Sequence, residues 1–136
     1  MNDFRNILYA IDLNDDHITS IVYALEFAQL FKSRVHFVYV NDPQAGYRHP
    51  TDREDTVALK VKEAAPESLL ENVDIIYASS KGDTAEEIVR YAQEHQIDLI
   101  IVGHKHRSKI FSSMFDSEDV NIIDAVRLPV LVIPEQ

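Results

Sequence analysis

The sequence predicts an open, doubly wound α/β fold, a five-stranded parallel sheet with helices on both faces. Three observations carry that prediction. Five short runs rich in β-branched residues recur along the chain, each almost continuously apolar, as suits strands covered on both faces. Longer stretches between them place apolar residues at helical spacing. The two kinds of segment alternate as β-α-β-α-β-α-β-α-β, an order that lays helices over both sides of one sheet.

The elements follow in order. ILYAI (7–11) is the first strand. Ile18, Ile21, Val22, Leu25, Ala28 and Phe31 then form one helical stripe, with Asp15 or Asp16 as its N-cap. VHFVYV (35–40) is the second strand. NDPQAGYRHPT (41–51), with two prolines, reads as a long surface connection or a lid. Residues 52–70 carry a weaker helical pattern that Pro66 should break. VDIIYA (73–78) is the third strand. After Gly82, an Asp83 or Thr84 cap precedes a stripe of Ala85, Ile88, Val89 and Ala92. LIIVG (99–103) is the fourth strand. Val120, Ile123, Ala125 and Val126 mark a last helix stopped by Leu128-Pro129, and VLVI (130–133) closes the sheet.

Composition narrows the function. At 136 residues, with 46% hydrophobic and 26% charged residues, the chain reads as a single globular domain over 1–136. No apolar run approaches the roughly 18 residues of a membrane helix, and MNDFRNILYAID has no basic leader, so a cytoplasmic protein without membrane contact is expected. The absence of cysteine removes disulfides, thiolate metal sites and cysteine nucleophiles. A formal net charge of −10 opposes broad binding to nucleic acid.

In sheets of this class a ligand sits beyond the carboxyl ends of the strands, where the winding reverses. If the first and fourth strands flank that point, Asp12-Leu13-Asn14-Asp15-Asp16 faces Gly103 to Ser117, GHKHRSKIFSSMFDS. The second stretch packs His104, Lys105, His106, Arg107 and Lys109 into six positions, as an anion contact or as a solvated face balancing nearby carboxylates. His104 and His106 share one side of an extended chain, but no third metal ligand is visible, so no metal is expected. His17, His36, His49 and His95 are dispersed and read as surface or boundary residues. No G-x-S-x-G elbow, Walker loop or H-E-x-x-H helix is present, and no catalytic residue is assigned. Asp12, Asp15 and Asp16 suggest the acidic pocket of a phosphoacceptor receiver domain. Such a pocket also needs an aspartate closing the third strand, where this chain has Tyr77-Ala78-Ser79-Ser80.

The whole chain, apart from residues 42–60, resembles the universal stress protein family. ILYAIDLND is similar to its first strand and loop, GDTAEEIVRYAQEHQIDLIIVG to its third helix and fourth strand, and PVLVIP to its closing strand. The resemblance implies the strand order 3-2-1-4-5 and a homodimer through the last strand, 130–133. Many members bind ATP through Gly-x2-Gly-x9-Gly-[Ser/Thr] after the fourth strand. On this sequence the pattern falls on Gly103, His106, Asp116 and Ser117, so two of three glycines are replaced. Glycine there lets backbone N–H groups approach the phosphates, and a Cβ with an imidazole at His106 would crowd them. Asp116, Glu118 and Asp119 add negative charge at the start of the last helix. A carboxylate about 5 Å from a phosphate oxygen opposes it by roughly 1 to 3 kcal/mol per charge pair. Gly103-His104 and Ser108-Lys109 resemble a subgroup of the family that lacks the glycine motif and binds ATP poorly. In ATP-binding relatives the carboxylate matching Asp12 contacts the adenine, while the residues alone also allow an Asx-type turn there.

The resulting expectation is a dimeric stress-response or regulatory protein acting through an unidentified protein partner, without a tightly bound cofactor. The alternative is a module for AMP or another small adenine ligand. Its candidate crevice comprises Asp12, Val40, Gly103, His104, His106 and Ser117.

Overall fold

A computed structural model of the chain describes residues 3–13, 18–41, 54–104 and 125–135. Within them the elements run β1 (Asn6–Ala10), α1 (Ile18–Phe31), β2 (Arg34–Asn41), α2 (Glu54–Ala64), α3 (Glu67–Glu71), β3 (Asp74–Lys81), α4 (Thr84–Glu94), β4 (Leu99–His104) and β5 (Val130–Pro134). The strands form one sheet in the order β3-β2-β1-β4-β5, and each neighbouring pair is parallel. Fold class and strand order are therefore as expected.

The apolar runs become strands because the sheet is covered on both sides. Ile7 to Ala10, Val35 to Val40 and Leu99 to Gly103 are buried without interruption. Successive side chains go to opposite layers. Ile7, Tyr9, Val35, Phe37 and Ile101 pack with Ile21 and Leu25 of α1 and with Val57 and Val61 of α2. Leu8, Ala10, Val38, Val40, Ile100 and Val102 pack with Ile88 and Ala92 of α4. Burying one such large aliphatic side chain contributes about 1.5 to 3 kcal/mol. The edge strands are less covered, with β3 half-buried from Ile75 to Ser80 and Val132 of β5 exposed. β3 also runs past the expected 73–78 segment, because Ser79, Ser80 and Lys81 continue the ladder against Tyr39, Val40 and Asn41.

Helix ends show what the sequence pattern missed. Lys32 and Gln96 adopt φ of 55° and 54°, the left-handed conformation usually given to glycine. Ser33 N–H then bonds Ala28 O at 2.8 Å, and Ile97 N–H bonds Ala92 O at 3.0 Å, so both α1 and α4 end in Schellman turns. Pro66 separates α2 from α3, as expected, at φ −67° and ψ 147°. Asp83 caps α4 by accepting Glu86 N–H at 3.0 Å. Phe31 departs from the expected buried stripe: it ends α1 at 49% exposure, with its ring against Phe4 and Phe27. Ala125 and Val126 are helical, matching the end expected before Leu128-Pro129. The Asp15 or Asp16 cap, the connection after Asn41, and Val120 and Ile123 lie outside the described residues.

His36 corrects the reading of a surface or boundary histidine. It is 3% exposed, with Nδ1 bonded to the Tyr91 hydroxyl at 2.6 Å and Nε2 to Asn6 Oδ1 at 3.1 Å. Burial lowers its pKa to about 4, His95 and Arg34 push the same way, and Asp74 opposes them. Spacing gave no sign of this because the partners sit on β1 and α4. Among the described residues, no helix is long and apolar enough to cross a membrane.

Candidate functional site

In this sheet β1 pairs with both β2 and β4, so the winding reverses at β1. Parallel strands bring all their carboxyl ends to one rim, and the crevice there is the expected ligand position. Asp12 follows β1 at 5% exposure, and Val40 lies near the end of β2 at 4%. Gly103 is buried in β4 in register with Ile133, and His104 ends that strand in an exposed position. Asp12, Val40, Gly103 and His104 thus stand at the ends of three adjacent strands. His106 and Ser117, with Asp116, lie outside the described residues.

Gly103 sits in ordinary strand pairing, while the positive-φ glycine of the described rim is Gly82, at 145°. Gly82 turns the chain from β3 into α4, and its N–H bonds Asn41 O at 3.1 Å. A Cβ at Gly82 would meet the Glu87 side chain at 3.2 Å. Glu87 itself is 5% exposed, accepting hydrogen bonds from the Ser80 hydroxyl and the Arg90 guanidinium. A buried carboxylate requires such donors. Spacing gave no sign of this, since Glu87 falls on the side of the helix away from the Ala85, Ile88, Val89 and Ala92 stripe.

A second polar group lies on the α1 side of the rim. Glu135 leaves β5 with its N–H bonded to His104 O at 2.8 Å, and its Oε1 accepts Ser20 N–H at 2.7 Å. The Ser20 N–H, in the first turn of α1, thereby donates to a carboxylate from the far end of the chain. The Ser20 and Tyr9 hydroxyls share a hydrogen bond. Burial pushes the Tyr9 hydroxyl well above its ordinary pKa; the Ser20 bond opposes this, and the Glu135 and Asp12 carboxylates reinforce it. Tyr9 is therefore neutral and serves as a hydrogen-bonding group beside two carboxylates. Sequence spacing hid this assembly because Ser20 and Glu135 are 115 residues apart.

Chemically, the described rim offers carboxylate acceptors, neutral hydroxyls and an exposed imidazole at His104. Among the described residues, no group of three or more His, Asp or Glu side chains is arranged to hold a metal ion. A carboxylate such as Asp12 is suited to accept from an amine or hydroxyl of a ligand.

The family model described as "Universal stress protein family" matches residues 3–134. A universal stress protein of Methanocaldococcus jannaschii is 24% identical over 141 aligned residues, covering 97% of this chain and 83% of that protein. The crystal structure of a universal stress protein in complex with cAMP is similar with a TM-score of 0.70 at 18% identity, covering 99% of this chain and 100% of the other. A universal stress protein from Archaeoglobus fulgidus in complex with dAMP gives a TM-score of 0.58 at 19% identity, covering 97% of this chain and 99% of the other. The strand order, the alternation of elements and the match over nearly its whole length place this chain in the universal stress protein family.

Proposed function

We propose that this chain is a stress-response or regulatory protein of the subgroup without the glycine motif, acting in the cytoplasm through protein contacts and without tight ATP binding. One observation carries the reading: His106 and Asp116 occupy two of the three positions at which ATP-binding relatives carry glycine. Both replacements act against a triphosphate. His106 brings a Cβ and a ring to a place where backbone N–H groups must reach oxygen, and Asp116 brings like charge.

The proposed protomer pairs through β5. The β4–β5 register and the Glu135 N–H to His104 O bond turn the odd-numbered residues of β5 toward β4. Val130 and Val132 therefore direct their backbone groups outward, between Pro129 and Pro134, which leaves room for a short antiparallel contact across a two-fold axis. Val132→Lys should shift the protein toward monomer in sedimentation velocity, and a wild type that sediments as a monomer at micromolar concentration would reject the dimer.

A second reading, a module for an adenine monophosphate, is favoured by the burial of Asp12 and Val40 at the rim. Two structural relatives hold cAMP and dAMP, which carry one phosphate each. In this reading Asp12 and Val40 contact the base, while Gly103, His104, His106 and Ser117 meet the ribose-phosphate. A thermal-shift panel of AMP, ADP, ATP and cAMP separates the two. No shift with any of them supports the partner-acting protein, and a shift confined to the monophosphates supports the module.

A further inference from the structure

The free edge of β3 is built differently from that of β5. Gly82 N–H donates to Asn41 O, and the ladder runs without a break from Arg34↔Asp74 to Asn41↔Lys81. In a parallel pair, alternate residues turn both backbone groups to the same neighbour. The even-numbered residues of β3 therefore face β2. Ile75, Tyr77, Ser79 and Lys81 turn their N–H and C=O groups away from the sheet, and among the described residues no strand pairs with them. Proteins usually blunt such an edge with proline, a bulge, a central charge or short length. β3 has none of these: it is eight residues long, and its charges, Asp74 and Lys81, stand only at its ends.

Beside this edge lies a cleft of about 640 Å³ lined by Ala65, Leu70, Val73, Ile75 and Tyr77, with Lys62, Glu67 and Glu71 among its polar lining residues. Ile75 and Tyr77 belong to the face that packs toward the α1 and α2 layer. A strand laid along β3 would send alternate side chains into that cleft. The cleft takes apolar groups. Its Glu67 and Glu71, in a chain of net charge −10, favour positive charge flanking them and disfavour a second copy of the same acidic chain.

We propose that the outer edge of β3 is the docking site for an extended segment of a partner protein, which adds to the sheet as a sixth strand. The segment carries apolar side chains at alternate positions and basic residues at its flanks. Backbone hydrogen bonds to Ile75, Tyr77 and Ser79 hold it, and the cleft under Ile75 and Tyr77 selects its side chains. This deepens the reading of a protein that acts through partner contacts and rests on it. It does not involve the nucleotide crevice, so it stands or falls separately from ATP binding.

The test is residue-resolved hydrogen exchange on the full chain, with and without a synthetic ten-residue peptide of alternating valines bracketed by lysines. In the free protein, the Tyr77 and Ser79 amides should exchange at least tenfold faster than those of Ile76 and Ala78. Saturating peptide should slow Tyr77 and Ser79 at least tenfold, and a peptide of the same composition with a central proline should not. Ser79→Pro removes one outward N–H while leaving the β2 ladder intact. That variant should keep the wild-type circular dichroism and weaken peptide binding at least tenfold. Three results overturn the proposal: Tyr77 and Ser79 already protected in the free protein at every concentration, which means the chain covers its own edge; protection that rises with protein concentration, which means a second copy is the occupant; or free amides that the peptide leaves unchanged. Submicromolar ATP binding with edge protection by the peptide would reject the parent reading and leave the docking site standing.

Discussion

The base side and the phosphate side of the proposed crevice are made by different kinds of chain. On the base side, Asp12 follows the buried strand β1 and Val40 lies within β2, at 5% and 4% exposure. Their positions follow from the sheet, and any sequence that forms the core keeps them at the rim. On the phosphate side, Gly103 and His104 end β4, while His106 and Ser117 come later in the sequence and lie outside the described residues. There a phosphate site depends on glycine at particular places, which the core does not require. A family fold can therefore persist while half of its ligand site changes character. In the proposed crevice, the half set by packing keeps its place, and the half that depends on glycine is free to diverge.

The largest effect expected is on the scaffold common to both halves, and it limits the pH at which they can be compared. His36, near the opposite end of β2 from Val40, has its pKa lowered from 6.5 to about 4 in the folded state. The unfolded chain therefore binds the extra proton first as pH falls. Stability from this group is fully present above about pH 6.5 and is lost progressively as pH falls toward 4. At about 1.4 kcal/mol per pKa unit, the full loss is between about 3 and 4 kcal/mol. Urea unfolding at pH 7 and pH 4.5 should show most of that difference. His36→Gln should flatten the pH dependence, and an unchanged slope in the variant would show that other groups carry it.

The next largest effect is restoration of the phosphate side. His106→Gly combined with Asp116→Gly should raise ATP affinity at least tenfold, about 1.4 kcal/mol. Calorimetry at fixed magnesium and salt is the appropriate measurement. No gain would mean that residues beyond these two have also left nucleotide binding, and the two halves would then differ by more than glycine.

A smaller effect belongs to the base side. Asp12→Ala should weaken residual AMP binding by about three- to tenfold, the value of one ordinary hydrogen bond. The loss should be the same for AMP and adenosine, since Asp12 is placed at the base. A smaller loss for AMP than for adenosine, or a gain, would move Asp12 to the phosphate side, where its charge repels, and dissolve the contrast.

How much of this was legible in the sequence depends on the range over which each feature is set. β1, β2 and β4 were readable because burial on both faces forces continuous apolar runs, and Pro66 and Asp83 act on neighbouring residues. The ends of α1 and α4 were not readable, because Lys32 and Gln96 take a conformation for which glycine would have been the marker. Burial of His36 was missed because Asn6 and Tyr91 come from other elements. The Glu135 bond to the first turn of α1 was missed because the sheet, not the local sequence, brings the two together. Of the site, Asp12, Val40, Gly103 and His104 were placed on one rim by the strand order that the family resemblance implies, while His106 and Ser117 fall outside the described residues.

The central proposal is that this chain does not bind ATP tightly, because His106 and Asp116 stand at two of the three glycine positions. The direct measurement is a side-by-side calorimetric titration of the unmodified protein with AMP and ATP at pH 7, where His36 is neutral. Repulsion from Asp116 grows with phosphate charge, so any binding that remains should be stronger for AMP than for ATP, and ATP should bind weakly or not at all. Submicromolar binding of ATP by the unmodified protein would contradict the account.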